Sequence, residues 1–405
     1  MISVTDAKKE ILKESRLLGN LRVPLAHALY RVLAQDLRAP VPLPPEDNSA
    51  MDGYALKAGD TFRATEGNPR CLRIAGIRRA GDAGRRPLRS GEAYRIMTGA
   101  AIPPGADAVV IQEMVEATEC EVRIARPVPA GANIRRRGEE LAKGDLVLPK
   151  GSQLHSRSLG LLANVGFPRV LIRRPPRVAL IVTGDELVEP GRKLPSGKIY
   201  DSNGAMLEAA LRELHLEPGL TRKVGDQEGR LTGALRTALE RADVILLTGG
   251  VSVGDYDFSK SAFGRLGIRT VFWKVAQKPG KPLFFGKKGR TLVFGLPGNP
   301  VSAWVCFHEY VRPALLAMQG IPARDSVERA LLEEPLQPSA KMTVFLRGRS
   351  RSHQGQSAVR PLSGQGSHML KALAEANCLI QVPPREGPLE AGAEVEVHAL
   401  EGRAG

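Results

Sequence analysis

The chain has 405 residues, 42% hydrophobic and 25% charged, and its 58 Lys and Arg against 43 Asp and Glu give a formal charge of +15. That mixture excludes a disordered chain, a collagen-like fibre and a coiled coil, and the length points to two to four domains. Its apolar runs, such as Val178 to Val182 and Val244 to Leu247, are strand-length and too short to span a membrane. The opening MISVTDAKKEILKES has no apolar core followed by a small-residue cleavage site, which predicts a cytoplasmic protein. The basic excess favours polyanionic partners in general. Nucleic acid is disfavoured, because only 4% of residues are aromatic and Arg is scattered rather than gathered in a stripe. Cys71, Cys120, Cys306 and Cys378 lie far apart without CxxC spacing and read as buried apolar thiols. The seven histidines have no HExxH spacing and read as surface or core residues.

Residues 3 to 37 read as helical, with Ser3 and Asp6 at capping-box spacing and an apolar stripe through Ile11, Leu12 and Leu18. Gly19 is the expected stop of that helix and Pro24 the start of the next. APVPLPPEDNS then forms an extended, proline-rich break. From 45 to 138 the pattern is strand-like, with Cys71 to Ile77, Tyr94 to Thr98, Ala108 to Met114 and Glu121 to Ile124 divided by turns, as in a small barrel or sandwich. Residues 139 to 170 are mixed, with a helix near Ser158 to Val165, and are expected to pack back on the N-terminal helices so that the strand-rich part is an insertion. Arg173-Arg174-Pro175-Pro176 reads as a linker.

Beyond it, Val178 to Val182, Val244 to Leu247 and Leu292 to Phe294 are buried runs. They alternate with helical spacing at Ala205 to Leu214, Leu231 to Leu239 and Val301 to Met318. This predicts a doubly wound parallel sheet covered on both faces over 171–325, followed by a small β domain over 326–405.

Ligands of such a sheet bind beyond the carboxyl ends of its strands. Three glycine loops fall there: Thr183-Gly184-Asp185-Glu186, TGGVSVGDYD at 248 to 257, and LPGNP at 296 to 300. Glycine lets backbone N–H groups approach an anion, and a following helix adds its positive end. The acids in these loops would repel that anion, and a divalent cation bridging carboxylate and phosphate oxygens is the usual remedy, with Mg²⁺ the oxygen-ligand choice. Asp201 and Asp226 either join the acids or cap helices. Lys274, Lys278 and Lys281 suit a tetrahedral oxyanion, or form a solvated basic turn. DNSAMDGYA, at 47 to 55, is dense in hydrogen-bonding groups, and Arg135-Arg136-Arg137 is a phosphate clamp or a solvated run.

DNSAMDGYA, IMTGA, TGDEL, IYDSNG, TGGVSVGDYD, KPGKP, LPGNPVSA and GQGSHML, in this order, resemble the molybdopterin molybdenumtransferase family, the MoeA-type enzymes related to the C-terminal domain of gephyrin. The resemblance implies a discontinuous helical domain I (1–44 and 139–170), an inserted β-rich domain II (45–138), a molybdopterin-binding α/β domain III (171–325) and a C-terminal β-barrel, domain IV (326–405). It implies a homodimer whose cleft lies between domain III of one subunit and domains II and IV of the other, and transient contact with an adenylyltransferase. The implied reaction inserts molybdate into adenylylated molybdopterin in the presence of Mg²⁺, releasing AMP.

Residue by residue, the resemblance points to Asp52, Thr98, Glu186, Asp226, Lys274 and Lys278 for catalysis and to Lys274, Lys278, Arg347 and Ser367 for molybdate. It points to Asp255, Asp257 and Glu186 for the metal. The loops supply Thr183, Gly184, Asp201, Gly249, Gly250, Ser252, Gly254, Pro297, Gly298, Asn299 and Pro300 for the pterin and its phosphates. Glu140 stands where the family often has Asp. Two rivals are an adenylyltransferase, against which the extra domains speak, and a gephyrin-like scaffold, which would not need the acidic and basic set.

Overall fold

The computed structural model describes residues 1–82, 86–250, 258–322, 327–353 and 356–400. The chain divides into two compact units, one of Met1–Leu21, Tyr30–Val32 and Ile172–Gly405, the other of Arg22–Leu29 and Leu33–Leu171.

The first unit is built on a six-stranded sheet in the order Pro218–Val224, Val178–Thr183, Val244–Thr248, Thr291–Leu296, Phe284–Lys288, Arg269–Trp273. The first four strands run parallel, and Phe284–Lys288 is antiparallel to both its neighbours. Every residue of Val178–Thr183 is buried because alternate side chains enter different cores. Val178, Leu180 and Val182 pack with the helices Val4–Glu14, Ser202–Glu213 and Arg312–Gln319. Ala179 and Ile181 pack with Glu228–Arg241 and Phe258–Arg265. Burying each such Val, Leu or Ile contributes about 1.5–3 kcal/mol.

The same unit carries a closed five-stranded barrel of Val327–Leu332, Thr343–His353, Gln356–Pro361, Cys378–Val382 and Glu394–Ala399. The short strand Gln277–Lys278 adds to it in parallel at Thr343 and Val344.

The second unit holds a six-stranded sheet in the order Ala108–Ile111, Gly53–Leu56, Glu92–Ile96, Arg70–Arg78, Glu121–Ile124, Glu116–Ala117. Beside it, Leu37–Arg38 pairs with Leu146–Leu148, and the helix Ser156–Asn164 packs on the 3₁₀ turn Leu25–His27. Among the described residues no helix is long and apolar enough to cross a membrane.

Several local expectations differ from what forms. The first helix ends at Glu14, and Asn20–Pro24 is a strand, since Val23 precedes a proline and is turned away from helical backbone. The expected helix over 301–318 is interrupted by a π turn at Phe307–Val311, just before Pro313, which cannot donate to the Glu309 carbonyl. The short helix Leu370–Glu375 was not anticipated. Cys306 and Cys378 are buried, but Cys71 and Cys120 are exposed, Cys71 because the outer face of Arg70–Arg78 is uncovered.

Asp243 anchors the entry to the central strand. It accepts two bonds from the Arg174 guanidinium at 2.8 and 2.9 Å and one from the Arg177 backbone N–H at 2.8 Å. Burial alone would raise its carboxyl, but the hydrogen bonds from Arg174 and Arg177 prevail and hold it below the ordinary value. Its contribution is therefore present above the unfolded carboxylate value of about 4 and lost as pH falls below it. Asp243→Ala is expected to cost about 2 kcal/mol in urea unfolding at neutral pH, with the difference shrinking in acid.

Candidate functional site

At the carboxyl edge of the parallel strands the glycine loops press together. A Cβ on Gly249, which has φ +83°, would lie 2.3 Å from the Thr183 carbonyl oxygen. At Gly184, with φ +147°, it would lie 2.7 Å from both carboxylate oxygens of Glu186, so only glycine lets that carboxylate fold back over its own turn. Asn203, buried, donates from Nδ2 to Thr248 Oγ1 at 2.9 Å and to the Gly298 carbonyl at 2.8 Å. Thr248 Oγ1 in turn donates to the Pro297 carbonyl at 3.3 Å. These bonds lock the second and third loops, and Asn203 Oδ1 is left without a partner.

The two open aspartates resolve differently. Asp201 caps the helix Ser202–Glu213, accepting the Gly204 N–H at 2.8 Å. Asp226 is not a cap; its Oδ2 accepts the Asp185 N–H at 3.1 Å, tying it to the turn that carries Glu186. Asp201→Ala is accordingly expected to cost about 1 kcal/mol in thermal unfolding, while Asp201→Ser keeps most of the cap. Asp185, Glu186 and Asp226 are exposed. Among the described residues no three His, Cys, Asp or Glu side chains gather as a metal cluster. Ser252, Gly254, Asp255 and Asp257 lie outside the described residues. Asn299 precedes the helix Pro300–Cys306 and makes no side-chain capping bond, while Pro300 sits at the helix start.

A cavity of about 720 Å³ opens between the KPGKP loop and the barrel, lined by Lys278, Lys281, Ser302, Phe345, Arg347 and Ser367 among others. Both lysines are exposed. Lys274 is not among the lining residues; it is half-buried with φ +74°, and its N–H bonds to the Leu283 carbonyl at 2.9 Å. Arg347 is fully buried, and its Nη2 donates to the carbonyls of Gly364 at 2.8 Å and Gly366 at 3.2 Å, which shapes the GQGS loop. Burial lowers its pKa from the usual arginine value. Arg347 Nε has no hydrogen-bond partner, a costly state for a buried donor. The Val301 N–H donates to the Ser367 carbonyl at 3.1 Å, joining the barrel loop to the helix after LPGNP. Residues of the KPGKP loop and of the barrel thus line one cavity within a single chain. The same two parts are joined by the pairing of Gln277–Lys278 with Thr343 and Val344 of the barrel.

In the second unit, Thr98 donates to Asp52 Oδ1 from its N–H at 2.7 Å and its hydroxyl at 2.8 Å. These bonds, the backbone one foremost, hold the Asp52 carboxyl below its ordinary value. Both side chains are exposed. Within the Arg run, Arg136 pairs with Asp47 at 2.7 Å, and the Arg137 N–H bonds to the same carboxylate at 2.7 Å.

Sequence reasoning missed Asn203, Thr248, Ser302 and Lys198, whose Nζ donates to the Asp185 carbonyl at 2.8 Å. Asn203 lies inside IYDSNG, so that motif held the signal; Lys198 stands one residue before it with none.

Fold and site together define a multidomain α/β protein with glycine loops at the sheet edge and a lysine-lined cavity against a barrel. Residues 2–166 match the MoeA N-terminal region (domain I and II), 179–317 the probable molybdopterin binding domain, and 329–400 the MoeA C-terminal region (domain IV). The molybdopterin molybdenumtransferase of Haemophilus influenzae is 39% identical over 377 residues, covering 92% of each chain. Molybdopterin molybdenumtransferase 2 of Mycobacterium tuberculosis is 37% identical over 99% of this chain and 100% of its own. A crystal structure of a molybdopterin biosynthesis moeA protein from Pyrococcus horikoshii superposes with TM-score 0.76 at 31% identity, covering 99% of this chain and 100% of that one. The chain belongs to the molybdopterin molybdenumtransferase (MoeA) family, and it is a transferase of molybdenum cofactor biosynthesis.

Proposed function

We propose that the chain inserts molybdate into adenylylated molybdopterin and releases AMP. The observation that supports this reading is the cavity lined by Lys278, Lys281, Arg347 and Ser367. Molybdate and the substrate phosphates are all anions. Two like charges about 4 Å apart repel by about 4 kcal/mol at an effective dielectric near 20. Lys278 and Lys281 offset that repulsion, and Ser367 orients the oxyanion by a hydrogen bond, so catalysis is positioning and charge neutralisation without a protein nucleophile. Thr183, Gly184, Gly249, Gly250, Pro297 and Gly298 hold the phosphates of the pterin, with Asn203 Oδ1 free to accept from a bound donor.

The oxygen donors on the neighbouring loops, Glu186 and Asp226, suit Mg²⁺, which takes one or two carboxylates and leaves its other positions to water and phosphate. When bound, the ion would neutralise phosphate charge. We further propose a cytoplasmic homodimer in which Asp52 and Thr98 of one subunit complete the cleft of the other, supplied by an adenylyltransferase. No nucleic acid or membrane is required.

The test is incubation of the purified chain with adenylylated molybdopterin. AMP release that needs both molybdate and Mg²⁺ is expected. AMP release indifferent to molybdate, or adenylylation of molybdopterin from ATP, would contradict the reading.

A further inference from the structure

The KPGKP loop sits on a buried polar support that the reaction as described does not use. Gln277 is fully buried, and its Nε2 donates to the Pro279 carbonyl at 3.0 Å and contacts Cys306 Sγ at 3.6 Å. Cys306 Sγ lies 3.6 Å from the Gly280 carbonyl. The Tyr310 hydroxyl, also buried, donates to Gln277 Oε1. That bond decides which way the amide faces: with Oε1 committed to Tyr310, the NH₂ must point at Pro279, where it meets an acceptor. Gly280 confirms how closely the loop is seated, since a Cβ there would lie 2.5 Å from Gln277 Nε2 and 2.6 Å from Cys306 Sγ. Lys278 and Lys281 flank the two anchored residues, and both line the oxyanion cavity.

We propose that Gln277 and Tyr310, with Cys306, are positioning residues for the reaction: a buried cradle that fixes the Pro279–Gly280 turn so that the Lys278 and Lys281 ammonium groups converge on one oxyanion. The inference rests on the reading that Lys278 binds the oxyanion. Without the cradle the lysines remain but must be ordered by the ligand, and that ordering weakens binding. The support reaches the site through Tyr310 in the π turn, which places Tyr310 toward Gln277 and its neighbour Glu309 toward the barrel residue His398.

The experiment measures molybdate binding to the full chain by equilibrium dialysis for Gln277→Met, Tyr310→Phe, Lys278→Met and Gln277→Met with Lys278→Met together. Turnover at saturating molybdate is followed alongside. Tyr310→Phe removes a single oxygen and guards against a Gln277 variant that does not fold. Each cradle variant is expected to weaken molybdate binding about tenfold while saturated turnover stays within about twofold. Adding Gln277→Met to Lys278→Met should weaken binding further by clearly less than Gln277→Met does alone, because only Lys281 is left for the cradle to position. Unchanged affinity in Tyr310→Phe, or losses that multiply in the double variant, would overturn the proposal. Unchanged affinity in Lys278→Met would instead overturn the oxyanion reading beneath it, and the inference with it.

Discussion

Asp226→Ala is expected to lower turnover by about 100-fold while leaving the fold intact. Asp226 is exposed, and the following helix Glu228–Arg241 takes Gln227 rather than Asp226 at its cap position, so stability should change by no more than about 0.5 kcal/mol. What is lost is local. Its Oδ2 holds the Asp185 N–H at 3.1 Å and so orders the turn that presents Glu186, and its charge is one of those proposed above to meet a divalent cation. Asp226→Asn separates these contributions: it keeps an acceptor for the Asp185 N–H and removes the charge. Turnover near wild type in Asp226→Asn would show that the hydrogen bond, and not the charge, is what the reaction needs. Full activity in Asp226→Ala would remove Asp226 from the site.

Glu309→Leu should produce the largest loss of stability, about 3–5 kcal/mol, read as a fall in the unfolding temperature of the whole chain. Glu309 is 2% exposed. Its carboxylate accepts from Lys8 Nζ at 2.7 Å and lies 3.0 Å from His308 Nδ1 and 2.8 Å from His398 Nδ1. Those partners come from the first helix, from the π turn itself and from a barrel strand, so the carboxylate joins three separate elements. Burial pushes its pKa up, but the hydrogen bonds from His308 and His398 and the charge of Lys8 together drive it well below the ordinary carboxylate value. A group depressed in this way contributes its stability above the unfolded value, about 4.3, and loses it as pH falls below that. The wild-type advantage over Glu309→Leu should therefore be constant from about pH 6 upward on this group's account and shrink in acid. A gap that widened on acidification would contradict the assignment.

The parts of the fold legible beforehand were those with a local signature. Val178 to Val182 and Val244 to Leu247 are continuous apolar runs because both faces of the sheet are covered, and the intervening helices carry apolar residues at helical spacing. The glycine loops were legible because close backbone approach, as at Gly249, excludes any side chain. What was not legible depends on distant partners. Gln277–Lys278 is a strand only because Thr343 and Val344 accept it, and two residues carry no periodicity. Glu309 and His398 stand 89 positions apart, so each looks like an ordinary core or surface residue until the barrel brings them together. Arg347, legible as a cation, is buried with its guanidinium turned toward the carbonyls of Gly364 and Gly366, a geometry that residue type alone does not reveal.

The most direct measurement is a crystal structure of the chain soaked with molybdate and AMP. The account predicts a tetrahedral oxyanion in the cavity between KPGKP and the barrel, within hydrogen-bond reach of Lys278, Lys281 and Ser367. Oxyanion density lodged elsewhere, with that cavity holding only water, would contradict it.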